Sequence, residues 1–240
     1  MRSGNPALRM DSFRSVRSLG TEEKMSIEGT VNKTFILLFL TIIGAFWVWS
    51  RPEIFLPYLL LCVLGSLVIA FITIFKKEWS PVTAPVYAFV EGIVLGVLSS
   101  FMEKVYPGIV IQAVFLTFGT LFSLLIAYRS KLIRVTDNFR LGVFAATGGI
   151  CIVYFASIIV GFFGVQIPFI HEGGLIGIGF SLFVVVIASL NLVLDFDFIE
   201  KSAEYGVPKY MEWYGAFGLI VTLIWLYLEI LRLLAKMRER

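Results

Sequence analysis

The stretch "GLIGIGFSLFVVVIASLNLVLDFDFIEKSAEYGVPKYMEWYGAFGLIVTLIWLYLEILRLL", residues 174–234, contains two apolar runs long enough to cross a bilayer. A helix of about 20 residues spans a hydrocarbon core about 30 Å thick. Four acidic residues lie in or beside these runs: Asp195, Asp197, Glu212 and Glu229. Because a carboxylate in hydrocarbon is costly, such residues face a bundle interior and are candidates for function. We therefore predict that the other apolar runs enclose these two helices.

The composition of the whole chain agrees with a membrane protein. Hydrophobic residues make up 58% of the 240 residues and charged residues 15%, with a mean hydropathy of +0.90. Soluble domains have about 45–50% apolar and about 25% charged residues. The apolar blocks have the length of spanning helices and lack the alternation of barrel strands. The pattern predicts an all-α, polytopic bundle of seven helices, at about 31–49, 54–75, 82–102, 108–128, 141–163, 174–198 and 210–234.

The basic residues indicate how this membrane domain (31–236) is oriented. Lys and Arg are most frequent in the polar tail (1–30) and in alternate loops after it, which predicts a cytoplasmic N-terminus. Seven crossings place the basic tail (237–240) on the side of the membrane opposite to the cytoplasm. A last run that breaks near Gly215 and Gly218 and returns would instead keep that tail inside. We favour seven crossings, because residues 213–234 are apolar and lack proline.

Signatures of soluble enzymes are missing, so we do not expect an enzyme. The chain has no phosphate-binding loop, no H-E-x-x-H and no G-x-S-x-G. One histidine, His171, and two cysteines within apolar runs cannot form a typical zinc site. The remaining chemistry is that of carboxylates, which bind protons and hard cations such as Ca²⁺. No cofactor is expected apart from Ca²⁺ as a bound or transported ion, and a net charge of +3 calls for no nucleic-acid partner.

The acids of the sixth and seventh runs are the main candidates. Asp195 and Asp197 are two residues apart, about 200° around a helix, so they face different sides. We expect the deeper Asp195 to face the bundle and Asp197 to face headgroups or water, although both could be interfacial charges at a helix end. Glu212 begins the next run at a similar depth, which makes it a plausible neighbour of Asp195. Alternatively, it is a first-turn carboxylate favoured by the helix dipole.

Two further acids have simple alternatives to a functional role. Glu229 is followed three residues later by Arg232, and this spacing predicts a local ion pair. Glu91 lies near the middle of the third run, where it is either part of an ion path or a protonated carboxyl bonded to a neighbouring helix. Gly92 and Gly96 beside it have the spacing that lets helix backbones approach closely. Two carboxylates that met inside the bundle would share a proton, and once ionised they could bind a cation.

Several stretches resemble the Bax inhibitor-1 (TMBIM) superfamily, most closely its bacterial YccA-like branch. They are "SGNPAL", "GTVNKTFILLFLTIIGAF", "SPVTAPVYAFVEGIVLG", "LNLVLDFDFIE" and "PKYMEWYGAFGLIVTLIWLYLEILRLL". The resemblance covers nearly the whole chain and is most specific in the last two. It implies a seven-helix bundle with the last helix near its centre, and a pH-dependent calcium leak gated by an acidic pair.

In the family that pair comes from the sixth and seventh helices, and its two positions match Asp195, in "LDFDFI", and Glu229, in "LYLE". These two residues are therefore the implied gate and calcium ligands. This chain departs from the family pattern in two ways. The second acid is a glutamate where the family has an aspartate, and the connection between the two acidic positions is longer here, which brings in Glu212 as a rival partner. Glu229 lies about 25 Å beyond Glu212 along a straight helix. Asp195 can therefore reach Glu229 only if the last run is broken, re-entrant or strongly tilted.

Three functional hypotheses follow from the sequence. The first is a passive calcium leak in the bacterial cytoplasmic membrane, gated by protonation of buried carboxylates. The second is a regulatory scaffold that binds a membrane protease or a stress-response partner, a role that suits the charged tail. The third is a proton-coupled transporter, which the lack of paired interrupted helices in matching halves disfavours. The bilayer, Ca²⁺ and protons are the partners expected in the first case.

Overall fold

A computed structural model describes residues 23–163 and 174–239 of the chain. Seven long helices account for most of these residues, and none of the described residues lies in a strand. The helices are α1 Ile27–Trp49, α2 Leu59–Phe75, α3 Ser80–Val105, α4 Ile109–Arg129, α5 Asp137–Phe162, α6 Leu175–Glu204 and α7 Met211–Arg238. Each is long and apolar enough to cross a membrane when α2 is taken with the two short helical segments, Pro52–Phe55 and Leu56–Tyr58, that precede it. The predicted class, an all-α polytopic membrane protein, is confirmed.

Several helices extend beyond the apolar runs that predicted them. The Ser26 hydroxyl caps α1 by accepting a hydrogen bond from the Gly29 amide at 2.9 Å, so α1 begins before its run. Thr136 caps α5 in the same way, through the Phe139 amide at 3.2 Å. At the other end of the chain, α6 continues to Glu204 through polar residues. Hydropathy marks the part of a helix that lies in hydrocarbon, whereas capping side chains decide where the helix ends.

Two predicted features lie outside the described residues. These are residues 1–22 of the polar tail and the segment 164–173 with His171. The described part of the tail is a short extended segment before α1. There the Met25 amide donates to the Val207 carbonyl at 2.8 Å, and the Lys209 amide donates to the Glu23 carbonyl at 2.9 Å. The start of the described chain is thereby joined to the connection between α6 and α7.

That connection turns at "GVP", residues 206–208. Gly206 has a φ of +65°, a conformation that a residue with a side chain rarely adopts. The Lys209 side chain forms an ion pair with Glu23. The hydrogen bond to the Glu23 carboxylate raises the pKa of the exposed Lys209 ammonium. The pair is exposed and adds little to stability, so the backbone hydrogen bonds define this join.

The last helix is the centre of the bundle. It contacts α1, α3, α4 and α6, and it is buried along most of its length. Large apolar side chains of α1, α2, α4 and α5 point outward, as contact with lipid requires. Gly215 and Gly218 remain helical, and α7 runs without a break from Met211 to Arg238. The alternative of a broken, re-entrant last run is therefore wrong.

Helices α1 and α3 meet at backbone distance. A Cβ atom added at Gly44 would lie 2.5 Å from the Phe89 carbonyl oxygen, and one at Gly96 would lie 2.5 Å from that of Ala45. A Cβ at Gly92 would overlap the Thr41 carbonyl oxygen. The small-residue spacing of Gly92 and Gly96 thus serves close helix approach, as the sequence predicted. Such a contact leaves no side chain that could rotate to make room.

This crossing yields a test of the packing. We expect Gly92→Ala to destabilise the protein by about 1–3 kcal/mol, because the new methyl group overlaps the backbone of α1. The thermal midpoint in detergent would fall accordingly. The matched control is Gly119→Ala on α4, where an added Cβ has no atom within 4 Å. Equal midpoints for the two variants would contradict the close contact between α1 and α3.

Candidate functional site: the buried carboxylates

Asp195 lies on the side of α6 that faces α7. A Cβ atom added at Gly218 would lie 3.9 Å from Asp195 Oδ1, so the carboxyl sits against a stretch of α7 without a side chain. The Thr222 hydroxyl, one turn further along α7, interacts with the same carboxyl. Asp195 Oδ2 is buried and has no hydrogen-bond partner in the described chain. The inward orientation expected for Asp195 is therefore present.

No cation within residues 23–163 and 174–239 neutralises this carboxyl. Among the described residues, no Lys or Arg forms an ion pair with Asp195, and Thr222 directs its own hydroxyl proton to the Gly218 carbonyl at 3.2 Å. An isolated charge in a low-dielectric interior is strongly disfavoured. Such a carboxyl is stabilised by gaining a proton, a cation or water. The α6–α7 contact at Asp195 should therefore respond to the arrival of a proton, a cation or water.

Glu212 has a different environment, although it lies in the first turn of the same helix α7. Its side chain is almost fully buried, and Oε1 accepts hydrogen bonds from the Ser26 amide at 3.0 Å and the Ser26 hydroxyl at 2.9 Å. The Lys33 ammonium lies 2.8 Å from Oε2. Gly29 makes room for the carboxylate, because a Cβ there would overlap it. Glu212 therefore joins the first turns of α1 and α7.

Glu229 is neutralised near the other end of α7. Arg232 Nη1 lies 3.0 Å from Glu229 Oε1, which confirms the ion pair predicted from the spacing. The Tyr154 hydroxyl of α5 donates to the same carboxylate at 2.9 Å. Arg232 donates in turn to the Tyr154 hydroxyl at 2.7 Å and lies over its ring. This three-residue cluster connects α7 to the peripheral helix α5.

Asp197 is also buried, with 7% of its surface exposed. Arg140 of α5 donates to Asp197 Oδ2 at 2.7 Å, and Lys201, one turn along α6, lies 2.8 Å from Oδ1. The prediction that Asp197 faces headgroups or water is therefore wrong. The reason is tertiary, because the arginine that begins the fifth span reaches across to α6 and covers the carboxylate.

The structure brings none of the candidate acids into a carboxylate pair. Gly218, which lies against Asp195, is six residues after Glu212 and eleven before Glu229. Along a straight helix these separations are about 9 and about 16 Å. Asp195 therefore pairs with neither Glu229, the partner implied by the resemblance, nor Glu212, its rival. No cluster of three or more metal-ligating side chains occurs in residues 23–163 and 174–239, so the assignment of Asp195 and Glu229 as calcium ligands stays a prediction.

Glu91, within the spanning helix α3, also forms no ion pair with any described residue. The Ser66 side chain of α2 interacts with its carboxyl. The Ser66 hydroxyl also donates to the Val63 carbonyl at 3.0 Å, and Tyr87 lies one turn before Glu91 on α3. This environment fits the interpretation of a carboxyl bonded to a neighbouring helix. A role for Glu91 in an ion path stays a prediction.

Some partners were not predicted from the sequence. Tyr154 and Arg140 belong to α5, and no local pattern relates them to acids on other helices. Lys236, the last residue of the predicted membrane domain, is 4% exposed, and its ammonium donates to the Gly177 carbonyl at 3.1 Å and the Ser181 hydroxyl at 2.9 Å. The one feature of the sequence that could have indicated this burial is the position of Lys236 four residues after Arg232, one turn further along the same helix.

These features define a seven-helix membrane protein whose central last helix is held near each end by a buried, neutralised carboxylate. Between these two points lies an unpaired carboxyl of the sixth helix. Compared with known protein families, residues 5–239 match the family described as Bax inhibitor 1 like. The chain belongs to this family, which confirms the resemblance of its motifs to the Bax inhibitor-1 superfamily. No match was found among curated proteins.

The Glu212 contacts can be tested separately from any transport. We expect Glu212→Gln to lower stability by about 1–3 kcal/mol, because the amide can still accept from Ser26 but no longer neutralises Lys33. The thermal midpoint in detergent measures the loss. Glu78→Gln, the same change at an exposed position before α3, is the control. If both variants melt together, the Glu212 ion pair does not hold α1 to α7.

Proposed function

We propose that this Bax inhibitor 1 like protein passes cations, Ca²⁺ first among them, passively across the membrane, and that protonation of Asp195 favours its closed state. The observation that carries the proposal is the carboxyl of the half-buried Asp195, whose Oδ2 atom is buried near Gly218 of α7 without a hydrogen-bond partner in the described chain. A single acid replaces the acidic pair expected from the family.

The direction of the pH effect follows from the cost of burying charge. A neutral Asp195 carboxyl fits the contact with Gly218 and Thr222, where its Oδ2 atom is buried. Once ionised, the carboxylate has no compensating charge there, so water or a cation must enter and the contact between α6 and α7 must loosen. Ca²⁺ suits the opened site, because it accepts carboxylate, carbonyl and hydroxyl oxygens in flexible geometry. Flux is therefore low at acid pH and rises as the pH rises.

The other buried acids have structural roles in this proposal. Glu212 and Glu229 are already neutralised by Lys33 and Arg232, so they hold α7 at two depths while the contact between those depths changes. Asp197 is compensated by two cations in the same way. Glu91 stays a candidate for the ion path on the far side of α3. By the positive-inside rule we place the α6–α7 connection, and with it the Asp195 end of α6, on the cytoplasmic side of a bacterial membrane.

The decisive experiment follows Ca²⁺ flux into proteoliposomes from mildly acidic to mildly alkaline pH. The wild-type protein should show a several-fold rise in flux across this range. Asp195→Asn should stay at the low, acid-pH level throughout, because asparagine resembles the protonated carboxyl and cannot ionise.

Two controls separate the Asp195 effect from a general change of charge. Asp137→Asn at the exposed start of α5 should leave the pH profile unchanged. Glu229→Gln should change the pH profile less than Asp195→Asn does, because Arg232 already neutralises Glu229. A pH dependence that survives Asp195→Asn would refute the proposal. If Glu229→Gln alone abolished it, the gate would be at Glu229.

A regulatory scaffold is the second candidate, favoured by the join between the N-terminal segment and the last two helices. Residues 23–26 bond to Val207, Lys209 and Glu212, so a partner bound to the preceding tail could act on α7 directly. The test is purification of the full chain and of a variant lacking residues 1–22. A membrane protein that co-purifies only with the full chain, together with no Ca²⁺ flux from the pure protein, would favour the scaffold over the leak.

A further inference from the structure

A lateral cleft lies between α1, α3, α4 and α7, on the side of the molecule where α1 ends and α4 begins. Its volume is about 210 Å³, and its walls include Leu38 and Trp49 of α1, Val110 and Phe118 of α4, and Leu223 of α7. We propose that this acyl cleft binds one fatty-acyl chain of an anionic glycerophospholipid. The proposal is independent of the calcium leak.

The lining of the acyl cleft has no free polar group to offer a ligand. The Thr41 hydroxyl donates to the Leu37 carbonyl at 3.0 Å. The Thr117 hydroxyl of α4 donates to the Ala113 carbonyl at 2.7 Å. The remaining two hydroxyls, of Ser99 and Tyr227, bond to each other at 2.7 Å. Apolar cavities of this size stay dry and accept apolar molecules, so the fitting occupant is a hydrocarbon.

The length of the acyl cleft matches one leaflet. Leu38 and Trp49 are eleven residues apart on α1, which is about 16 Å along a helix. This is about half of a hydrocarbon core of about 30 Å. Trp49 ends α1 and Val110 lies in the first turn of α4, so the acyl cleft reaches the membrane surface. Ile42 lines it and is half exposed, which shows that it also opens sideways toward lipid.

The charges at the surface end favour an anionic headgroup. Arg51 follows Trp49 by two residues, is exposed, and forms no ion pair with any described residue. Arg238 lies over the start of α4, where it donates to the Pro107 carbonyl at 2.8 Å and to Gln112 Oε1 at 3.1 Å.

Three acids of this end have partners of their own. Glu53 is paired with Lys104, Glu103 accepts hydrogen bonds from the Gly108 and Val110 amides, and Glu239 accepts one from the Tyr106 hydroxyl at 3.0 Å. None of these acids pairs with Arg51, which can therefore bind a phosphate, and the guanidinium geometry is well suited to that role.

Filling the acyl cleft tests the proposal. The full chain is purified in mild detergent and titrated with phosphatidylglycerol, and native mass spectrometry counts the bound lipids. We expect one tightly held phosphatidylglycerol for the wild type. Ala45→Phe should weaken its binding at least tenfold, because Ala45 lines the acyl cleft and phenylalanine would occupy it. Ala145→Phe, the same change on an exposed part of α5, should have no effect.

A second variant that fills the acyl cleft keeps the test valid if Ala45→Phe fails to fold. Val114→Phe fills the acyl cleft from α4, and circular dichroism and gel filtration show whether either variant is folded. If the folded variants retain phosphatidylglycerol as well as the wild type does, the acyl cleft is not the binding site. Equal loss from Ala145→Phe would also refute the site.

The headgroup is tested by exchanging the lipid. The wild type should bind phosphatidylglycerol several-fold more tightly than phosphatidylcholine with the same chains, and Arg51→Gln should abolish that preference. Arg129→Gln, which removes an exposed arginine at the opposite end of α4, is the control and should keep it. A wild type without preference, or a preference that survives Arg51→Gln, would overturn the assignment of an anionic lipid held at Arg51.

Discussion

The structure depends on the compensation of the charges that α7 carries into the bundle. Near its start Glu212 meets Lys33 and the Ser26 cap of α1. Further along, Glu229 meets Arg232 and the Tyr154 hydroxyl of α5. An uncompensated charge at either position would be strongly disfavoured in an apolar surrounding. The two contacts therefore fix both the depth of α7 and its rotation about its own axis.

Because the rotation of α7 is fixed, the residue opposite Asp195 is fixed as well. That residue is Gly218, which places bare backbone where a side chain would otherwise lie against the carboxyl. The contrast with Asp197, two residues away and compensated by Arg140 and Lys201, is instructive. Two acids in the same turn of α6 have opposite electrostatic environments. The proposed gate follows from that contrast. The α6–α7 contact at Asp195 responds to protonation because no charge compensates the carboxylate, whereas the contact at Asp197 is already neutralised.

Helix α1 packs tightly on one side and leaves a cleft on the other. The backbones of α1 and α3 meet at Gly44 and Gly96, which holds these helices together without intervening side chains. On its other side, α1 stands apart from α4 and leaves the acyl cleft between them. A hydrocarbon chain there would complete the packing around α7 from the lipid side. The bilayer would then contribute to the wall of the bundle as well as surround it.

The class of protein and its helices were determined by the sequence, because a hydrophobic block of spanning length is stable in a bilayer as a transmembrane helix. Local spacing also sufficed for the Glu229–Arg232 pair, three residues apart on one helix, and for the close approach at Gly92 and Gly96. Every partner from another helix was decided by the tertiary structure. The depth of Asp197 and its contact with Arg140 are such cases, since hydropathy records neither helix rotation nor the reach of a distant arginine. Whether Asp195 has a partner depended on the straightness of α7. On a straight α7, Glu212 lies before and Glu229 beyond the position of Asp195, whose carboxyl faces Gly218 and Thr222.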